Sequence, residues 1–309
     1  MTFRQRLLAG ALAILVLAIT PAYSQVFPGK GDDVTTSLGS FKIEIVTPFQ
    51  PLVNGCPGYN PATRILTSPT LFDGSTLIGR SAVITDGSPG DIGGVPVGSA
   101  NTLVNDGMLT PPPGWPCFTE AGCTSGPGTR EVHTEVRKLD MTPLGGVPAH
   151  LAVRAGTAYP PPDNSPIKIS PGEVQSHSGP HGGPDFPASS FFDMFVKVDL
   201  PACGNLPAST VMNNMPLIVK NPHLTQFPPK VIYLHDQSSI VPVFFVPGGP
   251  FAGQIFGYLV LAGHGVGFTS SQSDVTEFNN FMNSQSVSSC PGSACAPPQP
   301  TPTPVPKPN

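Results

Sequence analysis

The sequence predicts an all-β protein: one or more disulfide-stapled, β-sandwich-like domains with long Pro/Gly-rich loops and at most one short C-terminal helix. Three observations carry the prediction. Over residues 191–200, Phe192, Met194, Val196, Val198 and Leu200 alternate with Phe191, Asp193, Phe195, Lys197 and Asp199. One face is wholly apolar and the other mostly polar, as in a strand that covers a core with one side. Gly (34) and Pro (41) are abundant among the 309 residues, which divides the chain into short elements joined by loops. Six Cys follow what reads as an export signal, and in an oxidising compartment such cysteines pair rather than hold metal.

The export signal rests on the first residues. Arg4 and Arg6 precede an apolar run over 7–19, and Ala22 and Ser24 are small residues placed for cleavage after Ser24. Residues 1–24 are expected to be a secretory signal peptide, with Gln25 as the mature N-terminus and the mature protein secreted, periplasmic or extracellular. The run is too short to span a bilayer. Charged residues make up 11% of the chain and the net charge is −4. That gives no electrostatic footprint for nucleic acid or anionic lipid. The 18 Phe and the repeated Val/Ile runs are enough apolar matter to cover a core.

Taken in order, residues 25–37 are polar and expected to be a loose lead-in. Residues 41–46 alternate as a half-buried strand, ended by Pro48 and Pro51. Strands are expected at 64–66 and 77–84, with Asp73-Gly74 between them as a hairpin-turn signal. Residues 86–105 are loop-like, and Trp115 beside Cys117 is expected to pack. Further strands are expected at 131–139, 149–155, 167–169, 191–200, 216–219, 231–234 and 241–246, with a loop over 176–190. The apolar run 251–268 places Gly253 and Gly257 at GxxxG spacing, a signature of membrane helices. Gln254, His264 and five glycines argue instead for a buried strand or hairpin ending at Gly263-His264-Gly265, with no stable membrane span. A short helix is expected over 273–282, with Ser273 as its cap.

These elements group as β-rich units at 25–158 and 159–283, or as one continuous domain. A Cys-containing, Pro-rich tail follows over 284–309, expected to be disordered at its end. A shift of 153 residues lays Ile43-Glu44-Ile45 on Val196-Lys197-Val198 and the segment 65–71 on 218–224, an echo that two related units would leave. Six cysteines allow 15 connectivities. Proximity favours Cys117–Cys123 and Cys290–Cys295, leaving Cys56 to join Cys203.

No nucleophile elbow, zinc-protease helix, phosphate loop or dinucleotide fingerprint is present. Alternation puts Glu131, His133, Glu135 and Arg137 on one strand face, expected to be solvated and charge-paired. Asp193 and Asp199 are likewise expected to serve solubility and pairing. His177 and His181, in a Gly/Pro loop, could hold a divalent metal such as zinc with His235 as a third ligand. The expected function is an exported, non-catalytic protein with a structural, adhesive or ligand-binding role and no cofactor, its partner a carbohydrate or another surface protein. The alternative is a secreted metal-binding protein or metal-dependent hydrolase built on the His177/His181 loop.

Overall fold

Alternation of side chains is what makes the strands, and the apolar face of 191–200 is the clearest case. Phe192, Met194, Val196, Val198 and Leu200 all enter the main core. The computed structural model describes residues 26–85, 95–97, 102–104, 130–158, 170–176, 184–236 and 240–287. In chain order the strands are β1 (Gly31–Ile45), β2 (Tyr59–Asn60), β3 (Ile65–Thr67), β4 (Phe72–Arg80), β5 (Ile84–Thr85), β6 (Val95–Val97), β7 (Thr102–Val104), β8 (Arg130–Pro143) and β9 (Ala152–Gly156). Then come β10 (Ser170–Ser176), β11 (Ala188–Met194), β12 (Val196–Leu200), β13 (Ser209–Asn213), β14 (Leu217–Leu224), β15 (Val231–His235), β16 (Val241–Phe245), β17 (Ile255–Val266) and the helix α1 (Gln272–Ser284). Among the described residues the protein is all-β, with one short C-terminal helix and a brief helical turn between β1 and β2 (Thr47–Phe49 and Gln50–Val53).

All described pairings are antiparallel, and the ladder closes on itself. Four long strands lie side by side in the order β17, β1, β4, β8. The outer strands of this group each divide their pairing between two neighbours. The first half of β8 takes β10 and the second takes β9; the first half of β17 takes β16 and the second takes β15. One circuit therefore runs through β10, β11, β14 and β15, and another through β9, β12, β13 and β16. Both circuits close through the same four strands around one continuous apolar core. Strands from 25–158 form one contiguous block of this ladder and those from 159–283 another, joined where β9 pairs with β12, β8 with β10 and β1 with β17. The 153-residue echo is not repeated in the pairing: β1 pairs with β3, whereas β12 pairs with β9 and β13.

Several expectations are corrected. The lead-in is ordered from Gly31 as part of β1. Its strand character is masked in the sequence because its core-facing positions include Thr35 and Ser37, which are polar yet buried. Asp73-Gly74 is not a turn but lies inside β4, where a Cβ on Gly74 would overlap the Asp140 carbonyl. Glycine there permits a close approach of two backbones. Residues 191–200 form two strands, broken at Phe195, and the expected loop 176–190 already contains the start of β11. β13 falls outside every expected strand. The strand β17 passes straight through Gly263-His264-Gly265 instead of ending there. Among the described residues no helix is long and apolar enough to cross a membrane.

The two glycines of that triplet explain how the helix docks. A Cβ at Gly263 would overlap Met282, and one at Gly265 would lie 2.9 Å from the Phe278 ring. α1 thus rests on a bare strip of the outer face, where Phe278 and Met282 join Leu38, Ile232 and Leu261 in a second apolar cluster. Its cap is Ser271 rather than Ser273: the Ser271 hydroxyl accepts from the Asp274 amide at 3.3 Å. The Lys230 ammonium, with the Thr269 amide and hydroxyl, holds the Asp274 carboxyl down to about 2. Ser271→Ala is expected to cost about 1 kcal/mol, read as a shift in urea-unfolding midpoint.

The expected link Cys56–Cys203 is formed. Cys117, Cys123, Cys290 and Cys295 lie outside the described residues, as do residues 1–25, Trp115, the expected strand 167–169 and the tail from 288 onward.

Candidate functional site

The core-facing side of the four shared strands is not uniformly apolar. On β1 and β4, Thr35 stands opposite Thr76, and on β1 and β17, Gly39 stands opposite His264. Ser37 Oγ and Thr76 Oγ1 are 2.7 Å apart, and Thr76 Oγ1 lies 3.0 Å from His264 Nε2. Across the circuit the Tyr233 hydroxyl donates to Ser190 Oγ at 3.0 Å. Two buried hydroxyls, those of Thr35 and Thr134, have no hydrogen-bond partner among the described residues. Burial alone pulls His264 down to about 4, so the ring is neutral at pH 7. Burial also pushes the Tyr233 phenol up, with the Ser190 hydrogen bond acting against it.

His264 forms one wall of an internal cavity of about 50 Å³. Apart from Ser40 the rest of the lining is apolar, including Phe41, Phe72, Met141, Met194 and Leu259, and none of the lining residues is charged. On a scale where one water needs roughly 10–15 Å³, this is room for a short apolar group. Two methionines in the wall are unbranched and adapt readily to shape. A second apolar pocket of about 30 Å³ lies beside the Cys56–Cys203 bridge, and Phe41 lines both spaces. Phe41 stacks on Phe72, ring centroids 5.6 Å apart. Where β1 begins, Phe27, Phe186 and Phe227 meet edge to face, with the Arg80 guanidinium 6.0 Å from the Phe227 ring centroid.

The outer face carries the other concentration of polar groups. Glu131, His133 and Glu135 do share one side of β8, and register sets Glu173 of β10 opposite His133. The expectation of a solvated face is overturned, because all four are buried. His133 Nε2 lies 3.5 Å from Glu131 Oε1. The hairpin formed by β6 and β7 approaches β8. The expected partner of Arg137 is a glutamate; the pair seen is with Asp32 of β1, at 3.0 Å. Asp199 pairs with Arg154. Asp193 is half-buried opposite Ile218 on β14, and burial pushes its carboxyl up to about 7.

Of the metal candidates, His235 is buried on β15, on the same side as Tyr233. His177 and His181 lie outside the described residues. Among the described residues no three His, Cys, Asp or Glu side chains come together to hold a metal ion. Sequence reasoning misses His264, taking it for the end of a strand. The signal is there all the same: a lone polar residue flanked by glycines in a long apolar run.

No protein-family model matches the chain, and no curated protein matches it. Among solved structures it is similar to DynF from the dynemicin biosynthesis pathway of Micromonospora chersina. The two share 16% identity over 80% of this chain and 84% of that one, with a TM-score of 0.45. A likeness at this level transfers no chemistry between the two chains.

Proposed function

We propose that this is an exported, non-catalytic binding protein that takes a small, largely apolar molecule into the interior of its β ladder. The observation that carries this reading is the apolar cavity among the strands. It is lined by carbon almost throughout, walled by adaptable Met141 and Met194, and marked by one buried imidazole. Concave apolar spaces with a few placed polar groups are the usual form of small-molecule sites. Export is supported by the signal-like residues 1–24 and by the Cys56–Cys203 bridge, since disulfides persist in oxidising compartments. We read the layering as sandwich-like, the four shared strands facing the two groups of shorter strands across the core.

The test uses the methionine methyl groups as reporters. With ¹³C-methyl-labelled Met, saturating pentane is expected to shift the Met141 and Met194 signals while leaving surface methionines in place. In Phe41→Ala the partition between the two pockets is lost, and the longest alkane that produces the shift is expected to lengthen by several carbons. Unchanged Met141 and Met194 signals in both proteins would remove the basis for a binding role.

A further inference from the structure

We infer that the ligand of this cavity is an uncharged amphiphile, a short alkyl chain ending in a single hydroxyl or carbonyl group, with that group hydrogen-bonded to His264. The inference rests on the binding role proposed above and adds the chemical class. Its first support is the charge inventory. No lining residue carries a charge. A carboxylate or ammonium brought into this space would be stripped of water without compensation, a cost far above that of burying a neutral polar group.

The second support is the arrangement of donors and acceptors. Among the described residues Thr76 is the hydrogen-bond partner of the His264 ring, through Nε2. That leaves Nδ1 for a ligand. The Ser37 and Thr76 hydroxyls can each donate or accept, so the chain Ser37–Thr76–His264 can run in either direction. In one direction Nδ1 is an acceptor and suits an alcohol; in the other it is a donor and suits a ketone or ester. The low proton affinity of the buried imidazole agrees with a neutral occupant.

The experiment titrates the full mature chain at pH 7 with pentane, 1-pentanol, 2-pentanone and pentanoate, following the Met141 and Met194 methyl signals. Pentanol and pentanone are expected to bind at least tenfold more tightly than pentanoate, and roughly three- to tenfold more tightly than pentane, the worth of one net hydrogen bond. In His264→Leu the advantage of pentanol over pentane is expected to vanish while pentane still binds. The four-ligand series on the unaltered protein stands whether or not that variant folds. Pentanoate binding as tightly as pentanol, or pentane as tightly as pentanol, overturns the uncharged-amphiphile assignment and leaves the cavity's binding role intact. No response to any of the four overturns both.

Discussion

Replacing Cys56 and Cys203 together by Ala is expected to lower the unfolding free energy by about 4–5 kcal/mol. The bridge joins residues 147 positions apart, and in the chain-entropy picture closing a loop of that length removes about 5 kcal/mol of disorder from the unfolded chain. For a domain whose whole stability is roughly 5–15 kcal/mol, that is a third or more of the total. The folded side should change little. The segment bearing Cys203 is also held by the Asn205 amide, which donates to the Leu52 carbonyl at 2.8 Å. Cys56 packs in the main core, where an alanine leaves only a small void. Urea unfolding of the double variant checks this; a loss below about 1 kcal/mol would mean that the bridge does not constrain the unfolded chain in the way its span implies.

Asp193→Asn is expected to stabilise the protein by about 2–4 kcal/mol at pH 8 and to have almost no effect at pH 4. In the folded chain the Asp193 carboxyl is pushed up to about 7 by burial, from an ordinary value of 3.8. Across that interval the folded state holds the proton more tightly than the unfolded state, so this group takes stability away as pH rises from about 4 to about 7. The magnitude follows from about 1.4 kcal/mol for each tenfold difference in proton affinity between the two states, reduced because the side chain is only mostly buried. His264 works in the opposite sense. Its folded value of about 4 lies below the ordinary 6.5, so the unfolded state binds more protons between those limits and stability rises with pH there. In the unaltered protein the two slopes oppose each other from about pH 4 to about pH 6.5. In Asp193→Asn the rise due to His264 should stand alone. Unfolding free energies of both proteins at pH 4, 6 and 8 decide the matter, and identical values at pH 8 would refute it.

How far the sequence can be read depends on which way polar residues face. The strands whose core side is all carbon, such as the run from Phe192 to Leu200, announce themselves. So does the Cys56–Cys203 link, once the other four cysteines are assigned to near neighbours. The start of β1 is hidden because Thr35 and Ser37 face inward, and Ser37 is joined through Thr76 to His264 on strands that lie far away in sequence. Glu131, His133 and Glu135 are legible as one face of one strand. Their burial is not, since strand periodicity says nothing about what packs on top. His264 carries the same lesson from the opposite direction: the glycines beside it speak of a turn, whereas they clear the outer face for Phe278 and Met282.

The four strands common to both circuits set the order of events in making this protein. β1 begins at Gly31 but finds its neighbour β17 only at residues 257–266. More than two hundred residues must therefore be synthesised before the first strand has both its edges satisfied. Ladders of such distant partners assemble slowly, so β1 gains its second edge only once almost all of the chain is available. For a chain bound for export, as proposed above, that delay keeps it threadable through a narrow translocation pore.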